Sequence, residues 1–367
     1  MKNILINGFS SKIGGGKNIF DNFLKQISAL DDKKFKFYIL APKSEIYNSY
    51  ESSNITILKV ENIYRNNLFF ILLYYYKIPH IVKKYCIDLV FNLGDIVIPL
   101  KKISQIYFFD WAFAVYDEKY IWDNMNFKDK FIRRLKVFLI DKYITKVDLV
   151  YAQSNNICSR LNSKYKINNI KVVATPISDT FTQKKYGYKD FNFPDNKIKF
   201  LYPAGEASHK NFEIIIPLGE LIKSKGDPFI IILTVDSESK IMKQVKQRNL
   251  TGQIYNINKV EQRYMPSLYQ QIDVLFFPSL LESYGIPYIE AMILGKPIIT
   301  SDFDFAHSIC KDYGLYFNPF DTESIYNKMT EVIQKLKVDD KKKLHLDIPR
   351  WKDVFDVFYN DMNDLIK

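Results

Sequence analysis

Twice along this chain, short β-branched or aromatic runs alternate with longer amphipathic stretches, the pattern of βαβ units laid on a parallel sheet. The first series predicts strands at 3–7, 35–40, 55–59, 89–92, 105–109, 149–151 and 171–173, with helices at 18–30, 66–85, 128–146 and 155–165. After Thr175-Pro176 periodicity is lost through a polar stretch punctuated by Gly187 and Pro194, which reads as a linker. The second series predicts strands at 198–202, 229–233, 253–257, 274–277 and 297–300, with helices at 211–225, 238–249, 261–271, 287–294 and 321–336. At the end, Trp351, Val354, Phe355, Phe358, Met362 and Leu365 recur at three- and four-residue intervals, one apolar stripe on a final helix. Two α/β domains are therefore expected, 1–180 and 181–350, followed by a helix at 351–367; a length of 367 residues agrees with two cores.

Composition excludes several classes. With 47% hydrophobic and 25% charged residues, the chain is neither collagenous, low in complexity nor disordered. Cys86, Cys158 and Cys310 lie far apart with no His at ligand spacing, so no zinc site or disulfide framework is expected, and the reading is a reducing compartment. The start, MKNILINGFSSK, does not read as a signal peptide, and the longest apolar run, 68–76, is too short to cross a bilayer. The Lys341–Lys343 run reads as a solvated face.

Charge is distributed unevenly. Residues 1–180 hold 27 basic and 16 acidic side chains, whereas 181–367 hold 25 of each, so the first half carries the whole net +11. Such asymmetry suits an anionic partner, or equally lysines that serve solubility. The stretch 66–85, with Phe69, Phe70, Leu72, Leu73 and three tyrosines before Lys77, Lys83 and Lys84, reads either as a peripheral membrane face or as a buried helix.

The segment PSLLESYGIPYIEAMILGKPIITSD (278–302) carries the chemistry. It reads as a strand ending at Phe277, a loop with Glu282, a helix opened by Pro287, and a stop at Gly295 before Pro297. A helix that starts just beyond a strand's carboxyl end puts the amides of Gly285 and Ile286 where open α/β sheets bind anions. Glu282 and Glu290 flank those amides and suit sugar hydroxyls, although each alone also fits a bland role, a solvated loop residue and a helix-start carboxylate.

The E-x7-E spacing of Glu282 and Glu290, inside PS-x-x-E-x-x-G-x-P-x-x-E-A-M-x-x-G-x-P, resembles the signature of the retaining family 4 glycosyltransferases of GT-B fold. YPAGEASHKN (202–211) is similar to that family's diphosphate-binding Lys loop, GFSSKIGGGKN (8–18) to its N-terminal glycine-rich loop, and AQSNNICSRL (152–161) to its last N-domain helix. SDFDFAHSICKDYGLYFNP (301–319) resembles the segment that follows the signature helix. The resemblance implies an α/β GT-B fold: two Rossmann-like domains facing a cleft, 1–180 for acceptor and 181–350 for donor, with the C-terminal helix crossing back. It implies a hexosyltransferase that moves sugar from a nucleotide-diphosphate donor to a saccharide or polyprenyl-diphosphate-linked acceptor in bacterial surface polysaccharide biosynthesis. Glu290 would hold the ribose hydroxyls, Glu282 the transferred sugar and Lys210 the diphosphate. Gly205, Asn211, Tyr284, Gly285, Ile286, Gly15 and Gly16 would complete donor binding, and Asp110 would be catalytic. Gly14 to Gly16 read as a loop whose positive φ lets backbone approach phosphate.

Three positions depart from the family pattern. Glu206 stands where Arg often follows the loop glycine, Phe109 where His precedes Asp110, and Ser308 where Glu is usual. Charge lost at Glu206 would have to come from Arg263, Lys259 or His209. Asp302-Phe303-Asp304 has the letters of a metal cradle but lies beyond the signature helix, so neither metal nor cofactor is expected, and no nucleic acid. Expected instead are a cytoplasmic location and peripheral contact with an anionic membrane. The rival readings are an epimerase or phosphorylase of the same fold and an inactive partner protein.

Overall fold

A computed structural model describes residues 1–11, 14–65, 69–123, 125–182, 187–338 and 349–366. The Lys341–Lys343 run lies outside the described residues. The chain divides into two compact units, one of Met1–Asp117, Met125–Pro176 and Pro349–Lys367, the other of Glu118–Asn124 and Ile177–Ile348.

The first unit is built on a seven-stranded, all-parallel sheet: β1 (Lys2–Asn7), β2 (Phe35–Pro42), β3 (Ile55–Val60), β4 (Leu89–Asn92), β5 (Ser104–Phe109), β6 (Leu149–Ala152) and β7 (Ile170–Val172). Its spatial order is β3-β2-β1-β4-β5-β6-β7, so strand order reverses between β1 and β4, the place where such sheets open a crevice at their carboxyl ends. Its helices are α1 (Gly14–Ser28), α2 (Phe69–Leu72), α3 (Ile78–Lys84), with α4 (Lys119–Asp123) contributed to the second unit, then α5 (Phe127–Tyr143) and α6 (Asn155–Tyr165). Helices α2 and α3 are joined by a π turn, Leu73–Lys77, ahead of Pro79. Proline's ring collides with the preceding turn of a regular α-helix, and a widened turn there gives it room.

The second unit has α7 (Asp179–Thr182) and a six-stranded parallel sheet of β8 (Ile198–Tyr202), β9 (Phe229–Leu233), β10 (Ile254–Asn256), β11 (Val274–Phe277), β12 (Ile298–Ser301) and β13 (Gly314–Phe317). The order β10-β9-β8-β11-β12-β13 places its switch point between β8 and β11. Helices α8 (Ile215–Lys225), α9 (Lys240–Gln247), α10 (Met265–Gln271), α11 (Ile286–Ile293), α12 (Asp304–Cys310) and α13 (Thr322–Val338) complete it. The last helix, α14 (Trp351–Leu365), lays its stripe on the first unit's core: Phe358 packs on Phe91 at 4.3 Å and edge-on to Phe23 at 5.5 Å.

Three features differ from the sequence expectation. Helix α1 begins at Gly14, so the glycines form its first turn instead of a preceding loop, and neither Gly15 nor Gly16 has positive φ. Strand β13, only half-buried at its two middle positions, and the short helices α4, α7 and α12 have no counterpart in the expected elements, because they offer neither a fully buried apolar run nor two full turns of helical period. The second half of the expected linker is bonded to α10, with the Lys189 N–H donating to Ser267 Oγ at 3.1 Å and the Phe191 N–H to Gln271 Oε1 at 3.1 Å.

Candidate functional site

In the second unit, the loops leaving β8 and β11 flank the switch point and are stitched together. The Leu280 N–H donates to the His209 carbonyl at 2.8 Å, Ser279 Oγ donates to the same oxygen at 3.3 Å, and the Tyr202 hydroxyl donates to the Lys210 carbonyl. Held in this way, Lys210 Nζ forms an ion pair with Glu282 Oε1 and sits 5.3 Å from the Phe277 ring centroid. Both side chains are largely buried, so the pair is shielded from solvent screening.

Gly285 turns the chain into α11. Its φ is +80°, and a Cβ there would stand 2.6 Å from the Tyr288 ring, so glycine is required twice over. Tyr288 is fully buried, its hydroxyl 2.7 Å from Thr300 Oγ1 and its ring 4.9 Å from that of Phe277, which locks the helix on the sheet. One turn further, Glu290 is only 5% exposed. Burial pushes its carboxyl up to about 7, against hydrogen bonds from the Tyr269 hydroxyl and Gln262 Nε2, which pull it down. Tyr269 and Gln262 were not among the sequence candidates; α10 and the turn before it supply them through tertiary packing, for which a single sequence carries no signal.

Other candidates fall into place around this pair of loops. Ile286 opens α11, and Tyr284 is buried, which raises its hydroxyl to about 12. Gly205 is exposed, and no described atom lies within 4 Å of where a Cβ would stand, so the space beside it is open. Asn211 is buried in a left-handed conformation and its amide donates to the Pro319 carbonyl at 2.9 Å, tying the β8 loop to the loop after β13. Glu206 lines a groove with Glu213, Lys240 and Arg248. Of the cations that could supply its missing charge, Arg263 is exposed and pairs with Glu261 at 3.0 Å, beside the Gln262 that reaches Glu290, and Lys259 is exposed. In the segment after β12, His307 stacks on Tyr316 at 3.7 Å and bonds Asp302 at 2.6 Å.

In the first unit, the carboxyl ends of β1, β4 and β5 converge. Asn7 Nδ2 donates to Asn92 Oδ1 at 2.8 Å, and the same oxygen accepts the Gly94 N–H at 3.0 Å. Asp110 follows β5 directly, and one carboxyl oxygen lies 3.9 Å from where a Cβ on Gly16 would be, an ordinary contact that sets the first turn of α1 against the carboxyl. The other, Asp110 Oδ1, is buried with no hydrogen-bond partner among the described residues. Desolvation foremost, and the charge of Asp95 next, push this carboxyl up to about 8, while Lys136 opposes them. Lys136 pairs with Asp95 at 2.5 Å. Phe109 is buried edge-on to Tyr107, so the position where the family pattern has His faces the core here.

Residues 188–344 match the family described as glycosyl transferases group 1. Over 212 residues, 57% of this chain, the sequence is 24% identical to the O-antigen chain mannosyltransferase RfbU of Salmonella typhimurium and covers 58% of that protein. The chain thus spans little more than half the length of this curated relative. Among solved structures, a glycosyltransferase from Rickettsia africae has TM-score 0.67 at 17% identity, covering 100% of this chain and 96% of its own. WaaG, a glycosyltransferase involved in lipopolysaccharide biosynthesis, has TM-score 0.65 at 14% identity, covering 99% and 96%.

Proposed function

We propose that the protein is a retaining hexosyltransferase; the match of residues 188–344 to the group 1 glycosyl transferases and the GT-B fold support this reading. Its donor is a nucleotide-diphosphate sugar, and its acceptor is a saccharide or a polyprenyl-diphosphate-linked saccharide of a bacterial surface polysaccharide. The observation that carries this reading is the pairing of Lys210 with Glu282 beside the α11 N-terminus, with Glu290 buried one turn along. A cation, free helix amides and two carboxylates then stand together at a switch point, which suits diphosphate, ribose and sugar at once.

In this reading Glu290 accepts hydrogen bonds from the ribose hydroxyls, which replace the solvation that burial denies its charge. The diphosphate displaces Glu282 from Lys210, and the freed carboxylate turns to the hydroxyls of the transferred sugar. Lys210 and the amides of Gly285 and Ile286 stabilise charge on the departing diphosphate. Gly205 leaves room for the phosphates, Tyr284 borders the sugar, and Asn211 keeps the Lys210 loop in register. Gly15 and Gly16 lie in the α1 turn set against Asp110, which accepts a hydrogen bond from a sugar hydroxyl. The acceptor oxygen bonds to the anomeric carbon on the face from which the diphosphate leaves, the carbon–phosphate oxygen bond breaks, and the acceptor proton passes to the leaving phosphate. Lys210 and the helix amides provide the charge stabilisation that a metal gives in other transferases, so the reaction needs neither metal nor cofactor. The protein acts in the cytoplasm, in peripheral contact with an anionic leaflet that presents the acceptor.

Thermal-shift measurement with a panel of nucleotide sugars tests the core of this proposal. One nucleotide sugar should raise the melting temperature, an effect lost in Lys210→Ala, and a chelator should not abolish transfer. Absence of a response to every donor in the panel would overturn it.

A further inference from the structure

Two neighbouring helices of the first unit carry solvent-facing aromatic stripes. On α5 the exposed positions include Phe127, Phe131, Arg134, Phe138 and Lys142, spaced three and four apart along one face. The three phenylalanines are 86%, 54% and 58% exposed. Along α2, the π turn and α3, the exposed positions include Phe69, Leu72, Tyr76, His80 and Lys83, again one stripe. The helices are side by side, with Lys136 of α5 5.5 Å from the Phe70 ring and Tyr75 6.0 Å from Tyr143. Between them, 69–84 and 127–143 hold nine Lys or Arg and two Asp, which accounts for most of the chain's net +11.

We infer that α5 together with the α2–α3 helix is a docking surface for an anionic phospholipid leaflet. Water-soluble surfaces rarely present this many large apolar side chains in neighbouring stripes. Phenylalanine rings that alternate with lysine and arginine match a membrane interface, where rings enter the boundary between headgroups and acyl chains while cations meet lipid phosphate. Charge complementarity commits the surface to acidic lipid. Among the described residues no helix is long and apolar enough to cross a bilayer, so this contact lies on the leaflet and does not span it. The sequence expectation singled out 66–85 alone; 66–68 lie outside the described residues, and the structure adds α5, whose mixed pattern hid its exposed face. The inference rests on the reading that the acceptor is carried by lipid.

Co-sedimentation with phosphatidylcholine vesicles, with and without phosphatidylglycerol, tests it. Wild-type protein should bind the phosphatidylglycerol vesicles and leave the neutral ones, with binding that weakens as salt rises. Lys128→Gln, Arg134→Gln and Lys142→Gln should each weaken binding about fivefold, and Phe127→Ser with Phe131→Ser and Phe138→Ser should abolish it. All six positions are exposed, so a nucleotide-sugar thermal shift should persist in every variant and reports folding independently. Equal binding to neutral vesicles, unchanged binding by the serine variant, or retention on nucleic acid in place of vesicles would overturn the inference. Vesicle binding without any nucleotide-sugar response would instead refute the enzymatic reading and leave the surface intact.

Discussion

Glu290→Gln should make the unliganded protein more stable and the donor bind less well, and the pH dependence should disappear with the carboxyl. Burial raises this carboxyl from the ordinary value of 4.5 to about 7, a difference of about 3 kcal/mol. An acid whose pKa is raised on folding holds its proton in the native state, so the penalty is absent below pH 4.5, grows between 4.5 and about 7, and is complete above that. Glutamine removes the penalty, and at pH 8 the variant should gain up to about 3 kcal/mol in chemical denaturation while gaining nothing at pH 4. Binding runs the other way. Ribose hydroxyls need the ionised carboxylate, and one pH unit below a pKa only about a tenth of the group is ionised, so wild-type donor affinity should fall about tenfold from pH 8 to pH 6. Losing charge-assisted bonds should cost the variant about 1.5–3 kcal/mol, roughly ten- to a hundredfold in Kd at pH 8. Calorimetric titration with an intact nucleotide sugar is the assay, because its diphosphate diester has no group that titrates in this window. A flat wild-type profile, or a Glu290→Gln protein that keeps the wild-type slope, would refute the reasoning.

Glu282→Gln removes the carboxylate that competes for Lys210, so a free nucleoside diphosphate should bind about tenfold more tightly, by calorimetry, while sugar transfer slows. Gly285→Ala forces a Cβ into the Tyr288 ring at a φ of +80°, and denaturation should show a loss of about 2 kcal/mol or more together with weakened donor binding, as α11 shifts and carries Glu290 with it. Phe358→Ala empties a site against Phe23 and Phe91 and should lower stability by about 3–5 kcal/mol without altering donor affinity, since α14 packs on the first unit's core. Asp110→Asn relieves a carboxyl held near 8 and should raise the melting temperature most above that pH, with little change at pH 4.

Most strands were legible because a buried parallel strand must be an unbroken apolar run. Phe229–Leu233 and Val274–Phe277 are buried at every position, and their flanking helices carry stripes of the other period. The α11 bounds were legible for a local reason as well: a proline in the first turn and a glycine at the stop before another proline are punctuation a chain cannot hide, whereas the positive φ of Gly285 is seen only in the structure. Elements below that threshold were not. Glu118–Asn124 joins the second unit, where the Tyr120 ring stacks on Phe303 at 5.2 Å, although its sequence neighbours on both sides belong to the first. Local pattern cannot say against which unit a half-buried aromatic packs.

What the sequence determined by itself was therefore the two-fold α/β plan, the final amphipathic helix and the proline-opened, glycine-stopped α11, all of which follow from local sterics and hydrophobic period, together with the uneven charge, which is a matter of composition. Only the tertiary structure decided that Lys210 meets Glu282 across 72 positions, that Tyr269 and Gln262 reach Glu290, and that the carboxyls of Glu290 and Asp110 titrate near neutral pH. Burial and long-range contact are properties of the packed chain, and a carboxyl's charge state depends on how much water the fold leaves it.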